Sequence, residues 1–243
     1  MISPSFSCYS GALMMAFHIQ GISDVEIDLF MRAMMFSGQL LTWPKPWHDI
    51  LASLQSTGST GNKAKLILAP VMAACGLKLS TIPGFTGTGK TMGDVCALLA
   101  EVGCCVVEQP VEMAPAERII RDMAELVSVG NNNAFKEACM VARVGAMRLT
   151  TILMDIPYGP GESIKTKSAA IDMAKTMAEL SKIMSVKCNV VVTNVDHPVG
   201  QNIGHAVEIV EAIKCLHGNA PDDLHTVVCK LGKHLKCGDV NEK

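Results

Sequence analysis

The chain has 243 residues, of which 49% are hydrophobic, 18% charged and 4% aromatic. This composition predicts a compact globular protein with little disorder, and the few aromatic residues beside 16 methionines favour a core of aliphatic helices over a sandwich of strands. The net charge of -2 and the lack of a basic run argue against nucleic acid or an anionic membrane surface as a partner.

Ten cysteines are scattered along the chain without the C-x-x-C spacing of metal sites. Most of them lie in apolar segments, which is typical of reduced, buried thiols in a cytoplasmic protein. The uncharged run from Ile2 to Ser23 is similar to a signal peptide, but its strongly apolar part is short and no basic residue precedes it. We therefore expect an ordinary helix there and no membrane segment.

Two helices are predicted at the start of the chain. The apolar residues 12–17 indicate a buried helix, and Ser23 followed by Glu26 is a capping-box pattern that begins a second helix over 25–35. The sequence WPKP at 43–46 interrupts this helical pattern. It is the first candidate domain boundary.

The rest of the chain alternates helices and strands. A Gly/Ser/Thr loop, STGSTGN at 56–62, precedes an Ala-rich helical run, and this order suits phosphate because a helix N-terminus attracts anions. The further predicted elements are helices at 91–102, 116–127, 134–147, 167–184 and 203–216 and strands at 104–107, 150–154 and 188–194. A strand, a long helix and another strand indicate a βαβ unit, so we expect an α/β fold. The last predicted helix leads to a Cys-, His- and Lys-bearing tail.

The stretch GFTGTGKT, from Gly84 to Thr91, fits the phosphate-loop pattern G-x-x-x-x-G-K-[ST]. In such a loop Lys90 would neutralise phosphate charge and the Thr91 hydroxyl would hold magnesium, while Asp155 at the end of a predicted strand would supply a second carboxylate. Against this, Pro83 lies where a buried strand should donate a hydrogen bond. A P-loop NTPase is therefore one alternative function.

Five longer stretches match one protein family in order and spacing. They are SGALMMAFHIQGISDVEIDLFMRAMMFSGQLLTW, QSTGSTGNKAKLILAPVMAACG, PAERIIRD, ILMDIPYG and NVDHPVGQNIGHAVEIVEAI. Together they resemble segments of the pyrimidine-nucleoside phosphorylases, the family of the thymidine phosphorylases, from about residue 10 to the end of the chain.

This resemblance implies a fold and a reaction. It implies a small all-helical domain, residues 1–48 and 116–148, packed against an α/β domain, residues 49–115 and 149–243, that has a central, mostly parallel sheet. The family's C-terminal domain is expected to be absent, and its Gly-rich phosphate signature is expected to be deleted between Gly76 and Ile82. The family reaction is reversible phosphorolysis of thymidine to thymine and 2-deoxyribose 1-phosphate, with phosphate as co-substrate, no other cofactor and no metal.

The resemblance also implies phosphate-side residues. Ser56, Thr57 and Gly58 match the family's phosphate-binding loop. The lysine of that loop falls on Leu54, and its catalytic histidine falls on Gln55. A helix cap is the alternative role for the STG sequence.

On the pyrimidine side, the resemblance points to Arg121, Cys139 and Arg143. The family's serine falls on Cys139 and its lysine on Arg143, so these two positions are substituted. We expect an impaired enzyme, because several charged donors are lost or replaced. A non-catalytic homodimeric binding or scaffold protein, formed through the N-terminal helices, is a further alternative, in which the two arginines are only solvated helix charges.

Overall fold

The computed structural model describes residues 4–57, 63–81, 90–129, 132–183 and 186–236. Within these ranges the helices are α1 (Pro4–Gln20), α2 (Asp24–Met35), α3 (Ala64–Ala74), α4 (Met92–Glu101), α5 (Pro115–Leu126), α6 (Asn133–Ala146), α7 (Lys167–Ile183), α8 (His205–Leu216) and α9 (Asp222–Lys236). The strands are β1 (Leu51–Ser56), β2 (Lys78–Thr81), β3 (Cys104–Val106), β4 (Thr151–Tyr158) and β5 (Lys187–Asn194). The predicted α/β class is confirmed.

The chain divides into two compact units. A helical unit contains Met1–Thr42, Gly89–Met92 and Gln109–Arg148, and an α/β unit contains Trp43–Thr88, Gly93–Glu108 and Leu149–Lys243. The domain boundaries drawn from the sequence at residues 48 and 116 lie somewhat later in the chain than the boundaries of these units.

The core of the helical unit includes three phenylalanine rings. The centroids of Phe17, Phe30 and Phe135 lie 6.0 to 6.2 Å apart, in edge-on or tilted arrangements that stabilise aromatic pairs beyond their buried area. The rings pack against a buried cluster that contains Met14 and Met123. This contact joins α1, α2, α5 and α6 into one helical core.

The α/β unit is built on a parallel sheet with the strand order β3-β2-β1-β4-β5. The predicted βαβ unit is confirmed, since β4 and β5 pair in parallel and α7 packs against both strands. The central strand β1 was not predicted from the sequence. It has a neighbour on each side and is buried from Leu51 to Gln55, as expected of an inner strand of a parallel sheet.

A buried ion pair joins the start of α3 to α8. Lys63 Nζ lies 2.5 Å from Glu211 Oε2 and donates to the Asn202 carbonyl at 2.6 Å. The Glu211 carboxylate also accepts from the N–H groups of Gln201 and Asn202. Burial raises the pKa of Glu211, but the bonds from Lys63 and the two amides outweigh it and hold the pKa below its usual value. Gly200 (φ +82) has a left-handed backbone that favours glycine, and a Cβ there would lie 2.7 Å from Glu211 Oε2 and 2.8 Å from Lys63 Nζ.

Replacing the lysine of this pair should destabilise the α/β unit strongly. Lys63→Met should lower the free energy of unfolding by about 3–5 kcal/mol, because the Glu211 carboxylate would stay buried without its counter-charge. Urea denaturation followed by circular dichroism measures the loss. Adding Glu211→Leu should recover part of it, since both charges are then gone.

The matched control is Lys230→Met on the exposed side of α9, which should change stability by less than about 0.5 kcal/mol. A Lys63→Met variant as stable as this control would contradict the role assigned to the pair.

Candidate functional site

The carboxyl end of β1 carries the two positions where the resemblance expects charged or catalytic groups. Leu54, at the position of the lysine, is 1% exposed and belongs to the hydrophobic core of the α/β unit. Gln55, at the position of the catalytic histidine, is 2% exposed, and its Nε2 donates to Ser53 Oγ at 2.9 Å. Both side chains are therefore committed to internal contacts, and both are uncharged.

A row of polar side chains crosses three strands at this edge of the sheet. Ser56 Oγ on β1 donates to Asp155 Oδ2 on β4 at 3.2 Å, and Thr193 Oγ1 on β5 donates to Asp155 Oδ1 at 2.7 Å. Burial raises the pKa of Asp155, although the two hydroxyl bonds and the charge of Lys65 oppose this rise. Ser56, a predicted phosphate-side residue, thus contacts a carboxylate in this structure.

Thr57 directly follows β1. Its N–H donates to the Asp155 carbonyl at 3.0 Å, whereas its Oγ1 is buried and finds no hydrogen-bond partner in the described part of the chain. A buried hydroxyl without a partner costs about 1–3 kcal/mol, so this group can accept or donate a further bond to a ligand. Gly58, the third predicted phosphate-side residue, lies outside the described residues.

The hypothetical nucleotide-binding loop is described only at its end. Lys90 is exposed and Thr91 directly precedes α4, while residues 84–89 lie outside the described ranges. β4 continues to Tyr158, so the expectation that this strand ends at Asp155 is wrong. The Asp155 carboxylate is engaged by the hydroxyls of β1 and β5 described above. The P-loop NTPase alternative stays a prediction.

In the helical unit, two predicted pyrimidine-side residues meet around an acid. Arg121 Nη1 donates to the Glu117 oxygens at 3.0 and 3.4 Å, and Arg143 Nη1 donates to Glu117 Oε1 at 3.3 Å. Glu117 is fully buried, Arg143 is buried and Arg121 is partly exposed. Arg121 Nε also lies 3.9 Å from Asp122 Oδ1, so a second, exposed carboxylate borders this cluster. Burial lowers the pKa of Arg143, and the Glu117 carboxylate opposes that shift.

Cys139, the third predicted pyrimidine-side residue, lies one helical turn before Arg143 on α6. Its Sγ lies 3.9 Å from Met34 Sδ in the core of the helical unit. Burial, followed by the nearby charge of Glu117, raises the pKa of the thiol to about 12, against the effect of the two arginines. The side chain is therefore a protonated thiol in an apolar contact, which makes it a weak hydrogen-bond donor.

Sequence reasoning missed two buried acids of the helical unit. Glu117 was detectable, because it precedes Arg121 by four residues on a helix that begins with Pro115, and such pairs face each other. Glu137 gave no such signal, since it follows Lys136 and reads as part of a solvated face. It is buried, and burial raises its pKa to about 7.

These features define an α/β protein with candidate ligand-binding groups at the carboxyl ends of its parallel strands. Polar groups at the carboxyl edge of a parallel sheet are the usual ligand-binding arrangement of α/β folds. In the described ranges, no three His, Cys, Asp or Glu side chains are grouped so that they could hold a metal ion. None of the helices described is long and apolar enough to cross a membrane.

Comparison with known proteins finds relatives that the chain matches over about half of their length. No protein-family model matches the chain. Thymidine phosphorylase of Mus musculus is 32% identical over 240 residues, which cover 91% of this chain and 51% of the mouse protein. The human enzyme is 30% identical (93% and 50% covered), and the pyrimidine-nucleoside phosphorylase of Bacillus subtilis is 27% identical (93% and 56% covered). The chain is a homologue of the thymidine and pyrimidine-nucleoside phosphorylases, so the predicted resemblance is confirmed, and it spans about half the length of these relatives.

Removing the Asp155 charge should stabilise the α/β unit at neutral pH. Because the pKa of Asp155 is raised on folding, its contribution to stability is present below the unfolded pKa near 4 and is lost as the pH rises through the folded pKa. Asp155→Asn should therefore have a higher free energy of unfolding than the wild type at pH 7.5, since either hydroxyl can accept a bond from the amide.

Thermal unfolding at pH 7.5 and near pH 4 measures this difference, which should shrink at the lower pH. Asp172→Asn, on the exposed side of α7, is the matched control and should show neither effect. An Asp155→Asn variant that is less stable than the wild type at pH 7.5 would contradict the assignment.

Proposed function

We propose that the protein binds a pyrimidine nucleoside and phosphate, and that it catalyses phosphorolysis much more slowly than an intact thymidine phosphorylase. In this reaction phosphate attacks the anomeric carbon and the base leaves, so that thymidine gives thymine and 2-deoxyribose 1-phosphate. The reaction needs donors that hold the phosphate dianion and donors that stabilise the negative charge growing on the pyrimidine.

The base half of this function is supported by the arginine cluster of the helical unit. Arg121 and Arg143 are held by one buried carboxylate, so two guanidinium groups lie side by side in the helical unit. A guanidinium group stays charged at any working pH, so it can stabilise a developing anion without a proton transfer. The substituted position Cys139 adds little, because its thiol is turned to the core.

The proposed impairment depends on one observation at the end of β1. Leu54 and Gln55 occupy the positions of the family's lysine and histidine, and the core of the α/β unit buries both. A lost charged donor costs about 1.5–3 kcal/mol and a lost transition-state donor about 3–4 kcal/mol. Together these losses slow the reaction by roughly three to five orders of magnitude.

An assay of thymine release tests the impairment. Purified protein is incubated with thymidine and phosphate, and thymine is separated by liquid chromatography beside the Mus musculus enzyme. Turnover should be at least about 1,000-fold lower, because a charged donor and a transition-state donor are missing. Titration calorimetry should still detect binding of thymidine to the wild type. The binding should be weaker in Arg143→Gln than in the control Arg148→Gln, because the side chain of Arg148 is exposed. Turnover close to that of the mouse enzyme would refute the impairment, and the absence of any binding would refute the function.

A second candidate, a homodimeric binding or scaffold protein, is supported by the surface of the N-terminal helices. Exposed apolar side chains cluster on and next to α1 and α2: Leu13, Ile19, Val25, Leu29 and Phe36. Contiguous apolar patches on a protein surface are commonly used for association. Dimerisation alone is compatible with slow catalysis, whereas a scaffold protein without any catalysis would replace the first proposal.

Sedimentation equilibrium tests the dimer. The wild type should sediment as a dimer, and Leu29→Glu should raise the dissociation constant at least about tenfold, because it places a charge in the apolar surface. Leu126→Glu on α5 is the matched control, since Leu126 is also exposed but lies outside the N-terminal helices. A wild type that sediments as a monomer would rule out this candidate.

The proposed reaction needs no cofactor, since phosphate is itself the second substrate. We also propose a cytoplasmic location. Eight cysteines of the described chain, from Cys75 to Cys229, are free thiols, which suits a reducing compartment.

A further inference from the structure

Glu117 is buried in an unusual place for an acid. It lies in the first turn of α5, two residues after Pro115, and its side chain is 0% exposed. A carboxylate in the first turn interacts favourably with the helix dipole, but that effect is much smaller than the cost of burying a charge. The burial of Glu117 therefore depends on its cationic partners.

These partners come from two helices. Arg121 lies four residues along α5, whereas Arg143 lies on α6, and both donate through Nη1 to the same oxygen, Glu117 Oε1. The carboxylate keeps two guanidinium groups close together that would otherwise repel each other. It also fixes the rotation of each guanidinium group, because each arginine is held through its Nη1 atom.

This geometry leaves one donor of each arginine without a partner. Arg121 Nη2 and Arg143 Nε are buried, and within the described residues neither finds a hydrogen-bond acceptor. Each buried donor without a partner costs about 1–3 kcal/mol, or more when it is charged. Native proteins rarely retain such groups unless a ligand or water completes them.

We infer that Glu117 is a positioning residue: it orients Arg121 and Arg143 so that Arg121 Nη2 and Arg143 Nε can donate to the carbonyl oxygens of a pyrimidine base. The inference rests on the proposed function, since it assumes that a pyrimidine nucleoside is the ligand. Glu117 does not itself contact the ligand. It acts through the two arginines, by removing half of their mutual charge and by fixing their rotation.

Binding measurements on charge-neutral and charge-conserving variants test this role. Glu117→Gln keeps the shape but loses the charge, and its dissociation constant for thymidine should rise at least about tenfold, since two charged donors are no longer aligned. Glu117→Asp keeps the charge with a shorter reach, and its dissociation constant for thymidine should lie between those of Glu117→Gln and the wild type. The matched control is Glu125→Gln, which changes the same charge on the exposed side of α5 and should bind like the wild type.

A second ligand separates positioning from a general loss of structure. Affinity for inorganic phosphate should stay within about twofold of the wild type in all three variants, because the predicted phosphate-side residues belong to the α/β unit. Each titration is made well below the unfolding temperature of its variant. A loss of affinity for both ligands, or a loss of stability with unchanged thymidine affinity, would overturn the inference.

The outcomes distinguish this inference from the function on which it rests. If the wild type does not bind thymidine, both fail. If the wild type binds it and Glu117→Gln binds it equally well, only the positioning role fails. If Glu117→Gln does not fold, Glu117→Asp decides the question: thymidine affinity reduced at least about threefold supports the role, and unchanged affinity overturns it.

Discussion

The α/β unit depends on one constraint, the burial of its central strand. β1 lies between β2 and β4, and its successive residues 51–55 are buried, so side chains on both faces of the sheet must be apolar or internally satisfied. Leu54 meets this demand by joining the core, and Gln55 meets it by bonding to Ser53. At the same two positions the resemblance to the phosphorylases leads us to expect a lysine and a histidine. The packing that makes β1 a good central strand therefore also weakens the proposed phosphate chemistry.

Two buried charge clusters illustrate the difference between a structural and a functional ion pair. Lys63 and Glu211 are surrounded by backbone partners, and neither appears among the buried groups that lack a hydrogen bond in the described chain. Around Glu117, by contrast, two arginine donors stay unpaired. A complete network can contribute to stability alone, whereas an incomplete one has a cost in the free protein that a ligand can offset.

Local patterns predicted much of the fold. The capping box at Ser23 and the βαβ unit of β4, α7 and β5 are confirmed, because both depend on spacing within one short segment. β1 was missed because LASLQS mixes polar and apolar residues, and only its neighbours reveal why Gln55 is tolerated there. The Cys-, His- and Lys-bearing tail was not predicted to be helical, but it forms α9, which hides Leu224, Leu231 and Leu235 in the core beneath an exposed polar side.

The sequence by itself determined the α/β class and the homology to pyrimidine-nucleoside phosphorylases. It also singled out Ser56, Arg121 and Arg143 as candidate site residues. Only the tertiary structure decided what these residues contact. Ser56 meets Asp155 across 99 residues of chain, and Arg143 meets Glu117 across 26. Such contacts follow from strand register and helix packing, which sum many weak interactions along the whole chain. Helix and strand periodicities report only on near neighbours, so they carry no information about which distant side chain completes a buried charge.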